Sequence, residues 1–361
     1  MMEQNRDFLI RRNDLTEVKW VSAPLPKLGD GQVLLRVDRF GFSANNVTYA
    51  VRGEDLFWKF FPAPDGWFRV PVWGFAVAVQ SRHPKISVGE RVYGYLPMST
   101  FLVIDADRVS PTGFDDVAAH RANLPAIYNL YHRTAADPTY SRGREAEQVL
   151  LRPLFRTSFV IDDYLGDNGF FGARRIILGS ASSKTALGLA FILSKKRKPN
   201  LEIIGLSSRP NLPFLKGLDY YDHVIAYDEL RSLGVDQPAA YVDMSGNSAV
   251  RAEVHEHLGN TLCFDCRVGS THWSRMGGHP VPGVQPTMFS MAEQMKKRLS
   301  EWGAAEFQRR YIEEWRSFLK FVDGWLDPVE GHGEAMVESV YRQMIAGRSS
   351  PERGHILSVS D

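Results

Sequence analysis

Short runs in which apolar and polar residues alternate occur throughout the first third of the chain, and this alternation is typical of half-buried β-strands. Proline and glycine separate the runs, for example at Pro24, Pro26 and Gly29. Short strands punctuated by turn residues predict a small β-barrel. The runs cover residues 8–12, 17–21, 32–40, 76–81, 91–95 and 100–104.

In the middle of the chain, short apolar runs alternate with segments of helical periodicity. This alternation indicates βαβ units and a parallel, doubly wound sheet. The predicted strands cover 174–178, 201–206, 223–227, 240–244 and 261–268, and the predicted helices cover 186–198, 211–218 and 247–258.

The end of the chain is predicted to be mostly helical. Helices are expected at 290–302, 305–325 and 333–346, because apolar residues such as Trp315 recur there at helical spacing. A last strand is predicted at 355–359.

Composition narrows the class of protein. The 361 residues are enough for two domains. Lys plus Arg number 43 and Asp plus Glu number 42, a net charge of +1, which argues against a nucleic-acid-binding or polybasic membrane-surface protein. The two cysteines, Cys263 and Cys266, exclude a disulfide-stapled fold and a four-cysteine zinc site. No apolar run reaches the about 20 residues that cross a bilayer, and no signal-peptide pattern begins the chain, so we expect a cytoplasmic protein.

The turn after the first strand of the middle region has the position of a dinucleotide phosphate site. Gly179 follows that strand, and residues 180–183 are all small. Small residues let the backbone approach phosphates at the N-terminus of the next helix, although the Gly-x-Gly-x-x-Gly spacing is absent. Alternatively, Ser182 or Ser183 is an N-cap of that helix, and both roles can hold at once. Lys184 stands in the first helical turn, where the helix dipole disfavours a cation unless an anion binds there.

The end of the second middle strand carries Ser207, Ser208 and Arg209. An NAD-binding fold places an acidic residue about 20 positions beyond the glycines, where it holds the ribose hydroxyls. Arg209 lies 21 positions after Gly188 (209 − 188), and residues 203–218 contain no Asp or Glu. Arginine matches phosphate geometry, so this segment favours NADPH over NADH. The alternative is a solvated surface arginine.

Several motifs, in order along most of the chain, resemble the medium-chain dehydrogenases/reductases. The nearest branches are the zinc-independent quinone oxidoreductases and enoyl reductases, and the chain resembles a divergent branch of them. The resemblance implies a GroES-like catalytic domain over 1–155, a Rossmann NADP-binding domain over 156–289 and a return of 290–361 to the catalytic domain, with the active site in the cleft between them. The motifs are Asp30-Gly-Gln-Val-Leu-Leu-Arg-Val37, Gly41-Phe-Ser-Ala-Asn45, Val88-Gly-Glu-Arg-Val-Tyr-Gly94, Asp243-Met-Ser-Gly246 and Val268-Gly-Ser270.

The chain departs from the zinc-dependent members of that superfamily. Those members carry a catalytic cysteine after the first strand pair and a Gly-His-Glu further on. Here these places read Ser43 and Gly74-Phe75-Ala76, and the four cysteines of the structural zinc lobe are missing. We therefore expect no metal and a reaction in which the cofactor carries the chemistry.

The resemblance also supplies candidate site residues. Asn45 and Asn46 occupy places where zinc-free relatives put polar residues that face the nicotinamide or the substrate, and an amide there polarises a carbonyl. Tyr49 is a candidate proton donor, or alternatively a core aromatic. Thr157 lies in a segment similar to the Gly-x-Thr-Ala of relatives, or alternatively begins a helix. The candidate cofactor-binding residues are Gly179, Ser182, Ser183, Lys184, Thr185, Ser207, Ser208, Arg209, Ser245, Gly246, Gly269 and Thr157.

An aromatic-rich stretch, 54–70, takes the place of a variable active-site loop of those relatives. Phe57, Trp58, Phe61 and Trp67 are candidate walls of a substrate pocket. Alternatively, their rings cap the core of the barrel.

Three other features are interpreted without a catalytic role. His255 and His257 lie on a polar helix and are expected at the surface. Cys263 and Cys266 are expected to point to opposite faces of one strand. The strand at 261–267 is the candidate edge for a homodimer, by analogy with relatives.

These observations leave two main functions. The first is a zinc-independent, NADPH-dependent oxidoreductase that reduces an activated C=C or C=O of a small molecule, such as an enone, a quinone or an enoyl-like compound. The second is a non-catalytic relative that keeps the fold as an NADPH-binding or scaffold protein, which the incomplete glycine pattern favours. A lyase or isomerase without net redox change is a further alternative.

Overall fold

The computed structural model describes residues 4–51, 53–54, 56–196, 201–268 and 281–360. The chain divides into two compact units. The first unit comprises Met1–Leu150 together with Asp327–Asp361, and the second comprises Leu151–Leu326. Of the stretch 290–361, which the sequence analysis assigns to the first domain, the part from Asp327 onward lies in the first unit and the part up to Leu326 in the second.

A closed barrel of six antiparallel strands forms the centre of the first unit. The strands of the barrel are hydrogen-bonded in the order β3-β5-β6-β9-β8-β7. The last strand, β7, also pairs with β3, and this pairing closes the sheet. The strands β1, β2 and β4 form a small separate sheet. The predicted GroES-like barrel is therefore confirmed. The elements up to β9 are β1 (Gln4–Arg11), β2 (Asp14–Pro24), β3 (Gln32–Phe42), α1 (Ala44–Val51), β4 (Trp67–Phe68), β5 (Pro71–Ser81), β6 (Arg91–Pro97), β7 (Phe101–Ser110), β8 (Gly113–Asp116) and β9 (Leu130–Arg133).

Glycine and aromatic residues alternate along the paired strands β5 and β6, and this brings large rings together on one face of the barrel. Trp73 lies opposite Tyr95, and Phe75 lies opposite Tyr93. Successive side chains of a strand point to opposite faces, so these four rings share a face. Gly74 stands between the two pairs, where a Cβ atom would lie 2.5 Å from a backbone carbonyl oxygen of β3. The close approach of β3 therefore requires glycine at this position.

A parallel sheet with surrounding helices forms the second unit. Its strands lie in the order β12-β11-β10-β13-β14-β15, and every neighbouring pair is parallel. This is the 3-2-1-4-5-6 order of a doubly wound dinucleotide-binding fold, so the predicted Rossmann architecture is confirmed. Helix α2 (Glu145–Asp167) begins in the first unit and continues into the second. The other elements are β10 (Arg175–Gly179), α3 (Lys184–Lys195), β11 (Glu202–Ser207), α4 (Leu212–Lys216), β12 (His223–Ala226), β13 (Ala239–Asp243), α5 (Ser248–Leu258), β14 (Leu262–Arg267), β15 (Thr287–Met288) and α6 (Met291–Val322).

Strand β14, which the sequence analysis takes as an edge, has a further strand beside its carboxyl end. Cys266 pairs with Thr287, and Arg267 pairs with Met288. Cys263 is half-buried and Cys266 is buried, as expected for residues on opposite faces of one strand.

The last elements of the chain complete the first unit. They are β16 (Asp327–His332), α7 (Gly333–Ile345) and β17 (Arg353–Ser358). β17 pairs antiparallel with β3 and parallel with β16, which confirms the predicted final helix and strand. The helices predicted at 290–302 and 305–325 form α6, which is broken at Gly303 by a positive φ of 78°. Across the part of the chain that the structure describes, no helix has both the length and the apolar character of a membrane span.

The expectation that His255 lies at the surface is wrong. Arg251, Val254, His255 and Leu258 are buried on α5, and this is the i, i+3, i+4, i+7 spacing of a core-facing helix side. Because Arg251 and His255 are polar, the sequence pattern does not indicate that this face of the helix is buried.

Arg251 and His255 belong to a network of ion pairs and hydrogen bonds that joins α5 to β13 and β14. His255 Nε2 lies 2.8 Å from Asp265 Oδ2, and His255 Nδ1 lies 3.0 Å from the carbonyl oxygen of Pro282. Arg251 forms an ion pair with Asp243, and its Nε lies 3.3 Å from the same oxygen of Asp265. All four side chains are buried. A buried charge is costly unless it is paired, so each member of the network depends on the others.

Asp265→Asn is expected to lower the free energy of unfolding by about 3–5 kcal/mol, because it removes a buried carboxylate that pairs with Arg251 and contacts His255 Nε2. Urea-induced unfolding followed by circular dichroism measures this change. Glu256→Gln is the matched control, since the Glu256 side chain on the same helix is 69% exposed. The control is expected to change the free energy of unfolding by less than about 0.5 kcal/mol, and equal effects of the two substitutions would contradict the account.

Candidate functional site

The turn between β10 and α3 joins a buried strand to the N-terminus of a helix. α3 begins at Lys184, and the Ser183 hydroxyl accepts a hydrogen bond from the Ala186 N–H at 3.3 Å. The N-cap role is therefore confirmed for Ser183. Lys184 and Thr185 are half-buried in the first helical turn, and the Thr185 carbonyl accepts a hydrogen bond from the hydroxyl of Ser158 at 2.7 Å.

Two tyrosine hydroxyls that the sequence analysis missed lie against this turn. A Cβ atom at Gly179 would lie 2.6 Å from Tyr241 Oη, so the glycine makes room for that hydroxyl. Ser180 has a positive φ of 53°, and its N–H donates to Tyr227 Oη at 3.2 Å. Burial raises the pKa of Tyr241 well above its ordinary value, which keeps its phenol protonated beneath the turn.

A chain of hydrogen bonds links the turn to the end of β11. Ser182 Oγ lies 3.2 Å from Ser207 Oγ and accepts a hydrogen bond from Asn211 Nδ2 at 2.8 Å. Ser207 is buried and Ser208 is exposed. The structure thus brings together the two predicted serine segments. Asn211 adds a residue whose role could not be read from the sequence, because it contacts Ser182 only in the folded sheet.

Arg209 is exposed and contacts two carboxylates at the end of the neighbouring strand β12. Its Nη2 donates to Asp228 Oδ2 at 2.8 Å, and its Nη1 donates to Glu229 Oε1 at 2.9 Å. The hydrogen bond from Arg209 lowers the pKa of Asp228. Asp228 and Glu229 lie 19 and 20 positions after Arg209 in the chain, so the sequence near Arg209 gives no sign of this pairing.

The turn after β13 is fixed by one buried carboxylate. Asp243 Oδ1 accepts hydrogen bonds from the Ser245 N–H at 2.8 Å, the Ser245 hydroxyl at 2.7 Å and the Gly246 N–H at 3.1 Å. The carboxyl ends of parallel strands meet at one edge of a sheet. Ser245 and Gly246 therefore lie on the same edge as the turn after β10. Gly269, another candidate, lies outside the described residues.

Thr157 lies inside α2 and not at a helix start. Its hydroxyl donates to the carbonyl oxygen of Pro153 at 3.1 Å and lies 3.7 Å from Met291 Sδ. The alternative interpretation, a helix-start threonine, is wrong.

In the first unit, the two candidate asparagines of α1 differ in their surroundings. Asn46 is buried, its Oδ1 accepts from the Ser43 N–H at 2.9 Å, and its Nδ2 donates to the carbonyl oxygen of Pro71 at 3.2 Å. The amide of Asn46 therefore ties the start of α1 to β5. Asn45 is half-buried, and its side chain is close enough to Tyr49 to lower the pKa of that phenol, against the larger effect of burial.

Tyr49 belongs to a group of five rings, here called the aromatic cluster: Tyr49, Phe57, Trp73, Tyr95 and Tyr128. Tyr49 lies 4.5 Å from Phe57 and 5.7 Å from Tyr95 between ring centroids, and Tyr128 lies 4.8 Å from Tyr95. Trp73 Nε1 donates to Tyr49 Oη at 3.4 Å. Burial raises the pKa of Tyr49, so its phenol stays neutral. Three cluster members were missed because they come from separate strands and loops.

The four candidate pocket residues of the 54–70 stretch have different neighbours. Phe57 is half-buried in the aromatic cluster. Trp58 stacks on Phe68 at 4.2 Å, and its Nε1 donates to a backbone carbonyl of α1. Phe61 is buried against Tyr95. Trp67 lies 3.9 Å from the ammonium of Lys19 and contacts the guanidinium of Arg11. Phe57 and Phe61 thus contact cluster rings, whereas Trp58 is buried between Phe68 and the end of α1.

The positions that hold zinc ligands in zinc-dependent relatives are occupied here by Ser43 and by Gly74-Phe75-Ala76. Of these residues, only Ser43 has a polar side chain. Phe75 packs against Tyr93 at 5.4 Å and under the guanidinium of Arg91 at 4.7 Å. Within the described ranges, no group of three or more His, Cys, Asp or Glu side chains is arranged to hold a metal ion.

Several solved structures share this fold over nearly their whole length. CurA from Vibrio vulnificus in complex with NADPH matches with a TM-score of 0.63 at 12% identity, covering 99% of both chains. The yhdH oxidoreductase from Salmonella enterica in complex with NADP matches with a TM-score of 0.54 at 14% identity, covering 98% of this chain and 100% of that chain. The quinone oxidoreductase from Coxiella burnetii gives a TM-score of 0.55 at 13% identity, covering 98% of this chain and 99% of that chain. Each identity is under 25%, so these matches show that the chain shares its fold with these three proteins.

At the level of sequence, no curated protein matches the chain. A family model described as a protein of unknown function, DUF2855, matches residues 40–350. This match covers most of the chain, and the protein therefore belongs to the DUF2855 family.

Proposed function

We propose that this protein is an NADPH-dependent oxidoreductase that reduces an activated C=C or C=O of a small molecule without a metal. The observation that carries the proposal is the edge of the second unit's sheet. There the turn at Gly179, the hydrogen-bonded Ser182 and Ser207, and the Asp243 turn occupy the carboxyl ends of adjacent parallel strands. Dinucleotides bind at this edge of doubly wound sheets. The complexes of CurA with NADPH and of yhdH with NADP support the choice of cofactor.

The residues present fit such a cofactor. The N-terminus of α3 carries partial positive charge that favours phosphate, and the turn before it consists of small residues whose first member leaves no space for a Cβ atom. Arg209 offers a guanidinium where a 2′-phosphate is expected. The residues that would hold the cofactor are Gly179, Ser182, Ser183, Lys184 and Thr185 at the phosphates, Ser207, Ser208 and Arg209 at the 2′-phosphate, and Thr157, Ser245 and Gly246 towards the nicotinamide.

NADPH, when bound, supplies the hydride. The chain's own part is to orient the substrate and to stabilise or protonate the oxygen on which charge develops. Tyr49 can do this, because burial keeps its phenol neutral and Trp73 donates a hydrogen bond to its hydroxyl. Phe57 contacts the same ring and is half-buried, which suits a wall of a substrate pocket.

A second candidate is a non-catalytic relative that binds NADPH or acts as a scaffold. Two observations favour it. The Ser180 N–H is already engaged by Tyr227, and the Arg209 guanidinium is engaged by two carboxylates. Binding of NADPH without turnover of any enone, quinone or aldehyde in a broad panel would support this candidate over the first.

Arg209→Ala is expected to weaken NADPH binding by about tenfold, through loss of a charge-assisted contact with the 2′-phosphate, and to leave NADH binding unchanged. Fluorescence titration of the protein with each dinucleotide measures both affinities. Arg231→Ala is the control, because Arg231 is also exposed and paired with acidic residues of the second unit. Failure of the unmodified protein to bind either dinucleotide at millimolar concentration would contradict the proposed function.

Tyr49→Phe is expected to lower kcat by about a hundredfold with little effect on KM, because a hydroxyl that acts on the developing oxyanion contributes mainly in the transition state. Steady-state kinetics with the best substrate of the panel measure the two constants. Tyr341→Phe is the control, since it removes a hydroxyl that donates to the carbonyl oxygen of Leu15 elsewhere in the first unit. Equal losses in the two variants would assign Tyr49 a structural role.

A further inference from the structure

The guanidinium of Arg209 is held on two sides by neighbouring carboxylates. Asp228 and Glu229 follow β12, which pairs with β11, and each accepts one hydrogen bond from a different terminal nitrogen of Arg209. Phosphate and carboxylate groups bind the same fork of guanidinium N–H groups. A 2′-phosphate would therefore compete with the two acidic side chains for Arg209.

Arg209 alone would attract a phosphate, but the two carboxylates beside it make the local charge unfavourable for one. One guanidinium and two carboxylates give a net charge of −1, from +1 and −2. A phosphate monoester carries about −1.5 to −2 charges near pH 7. The ribose of NADH has a neutral 2′-hydroxyl, which does not feel this repulsion.

We propose that Asp228 and Glu229 are specificity-determining residues that limit the preference for NADPH over NADH, by occupying Arg209 and by repelling the 2′-phosphate. This inference rests on the proposed function, because it assumes that a dinucleotide binds beside Ser207 and Arg209. It concerns only how strongly the protein distinguishes the two dinucleotides.

The side chains of Arg209, Asp228 and Glu229 are all exposed, by 58%, 66% and 46%. Their exposure determines how strongly the two carboxylates affect NADPH binding and how far salt weakens that effect. Ion pairs at such exposure are weak and are screened by salt. The two carboxylates should therefore shift the balance between the dinucleotides at low ionic strength and lose most of this influence at high ionic strength.

The double substitution Asp228→Asn with Glu229→Gln tests the proposal by binding and not by activity. At low salt, the variant is expected to bind NADPH on the order of tenfold more tightly than the unmodified protein, and to bind NADH with unchanged affinity. At about 0.5 M salt the gain for NADPH is expected to shrink to about twofold or less. Fluorescence titrations with NADPH and NADH at both salt concentrations give the four affinities of each protein.

The chain offers a closely matched control on the same unit. Glu253 and Glu256 also lie beside an exposed arginine, Arg231, at 3.9 and 3.1 Å. Glu253→Gln with Glu256→Gln therefore removes the same net charge beside another arginine. This control is expected to leave the ratio of NADPH to NADH affinity unchanged.

The outcomes separate this inference from the function on which it depends. Unchanged or weaker NADPH binding by the Asp228→Asn, Glu229→Gln protein would overturn the inference, as would an equal gain in the control. In each of these cases the unmodified protein still binds NADPH, and the proposed function stands. Absence of dinucleotide binding in all three proteins would overturn both.

Discussion

The carboxyl edge of the second unit's sheet depends on one buried carboxylate, Asp243. Its side chain has no exposed surface. One of its oxygens accepts three hydrogen bonds from Ser245 and Gly246, and the other pairs with Arg251. A buried carboxylate is tolerated only when its charge and its lone pairs are used. The turn after β13 is therefore held in one conformation, and Arg251 extends the constraint to Asp265 on the next strand.

Each unit carries groups of a different chemistry. The second unit presents backbone and hydroxyl groups at a helix N-terminus, which suits the recognition of phosphate. The first unit presents neutral phenols inside the aromatic cluster, where burial holds Tyr49 in its protonated form. Such a phenol adds no charge to the site, and it can donate a hydrogen bond to an oxygen that becomes negative during the reaction.

Much of the fold could be predicted from the sequence, because strand and helix periodicities are local. The alternation of strands and helices predicted the parallel sheet, and the small residues after Gly179 predicted the turn. The contacts of the candidate site could not be predicted, because they join residues far apart in the chain. Asn211 hydrogen-bonds to Ser182, from which it is 29 positions away in the chain. Arg209 hydrogen-bonds to Asp228, from which it is 19 positions away. His255 was misplaced for a related reason, since a polar residue on a buried helix face is satisfied only by partners on another strand.

The most direct test of the central claim is a crystal structure of the protein soaked with NADPH. The account predicts the pyrophosphate at the N-terminus of α3, beside Ser182 and Ser183, and the 2′-phosphate beside Ser207 and Arg209. Absence of the dinucleotide from this edge at saturating concentration, or its binding elsewhere on the protein, would contradict the account.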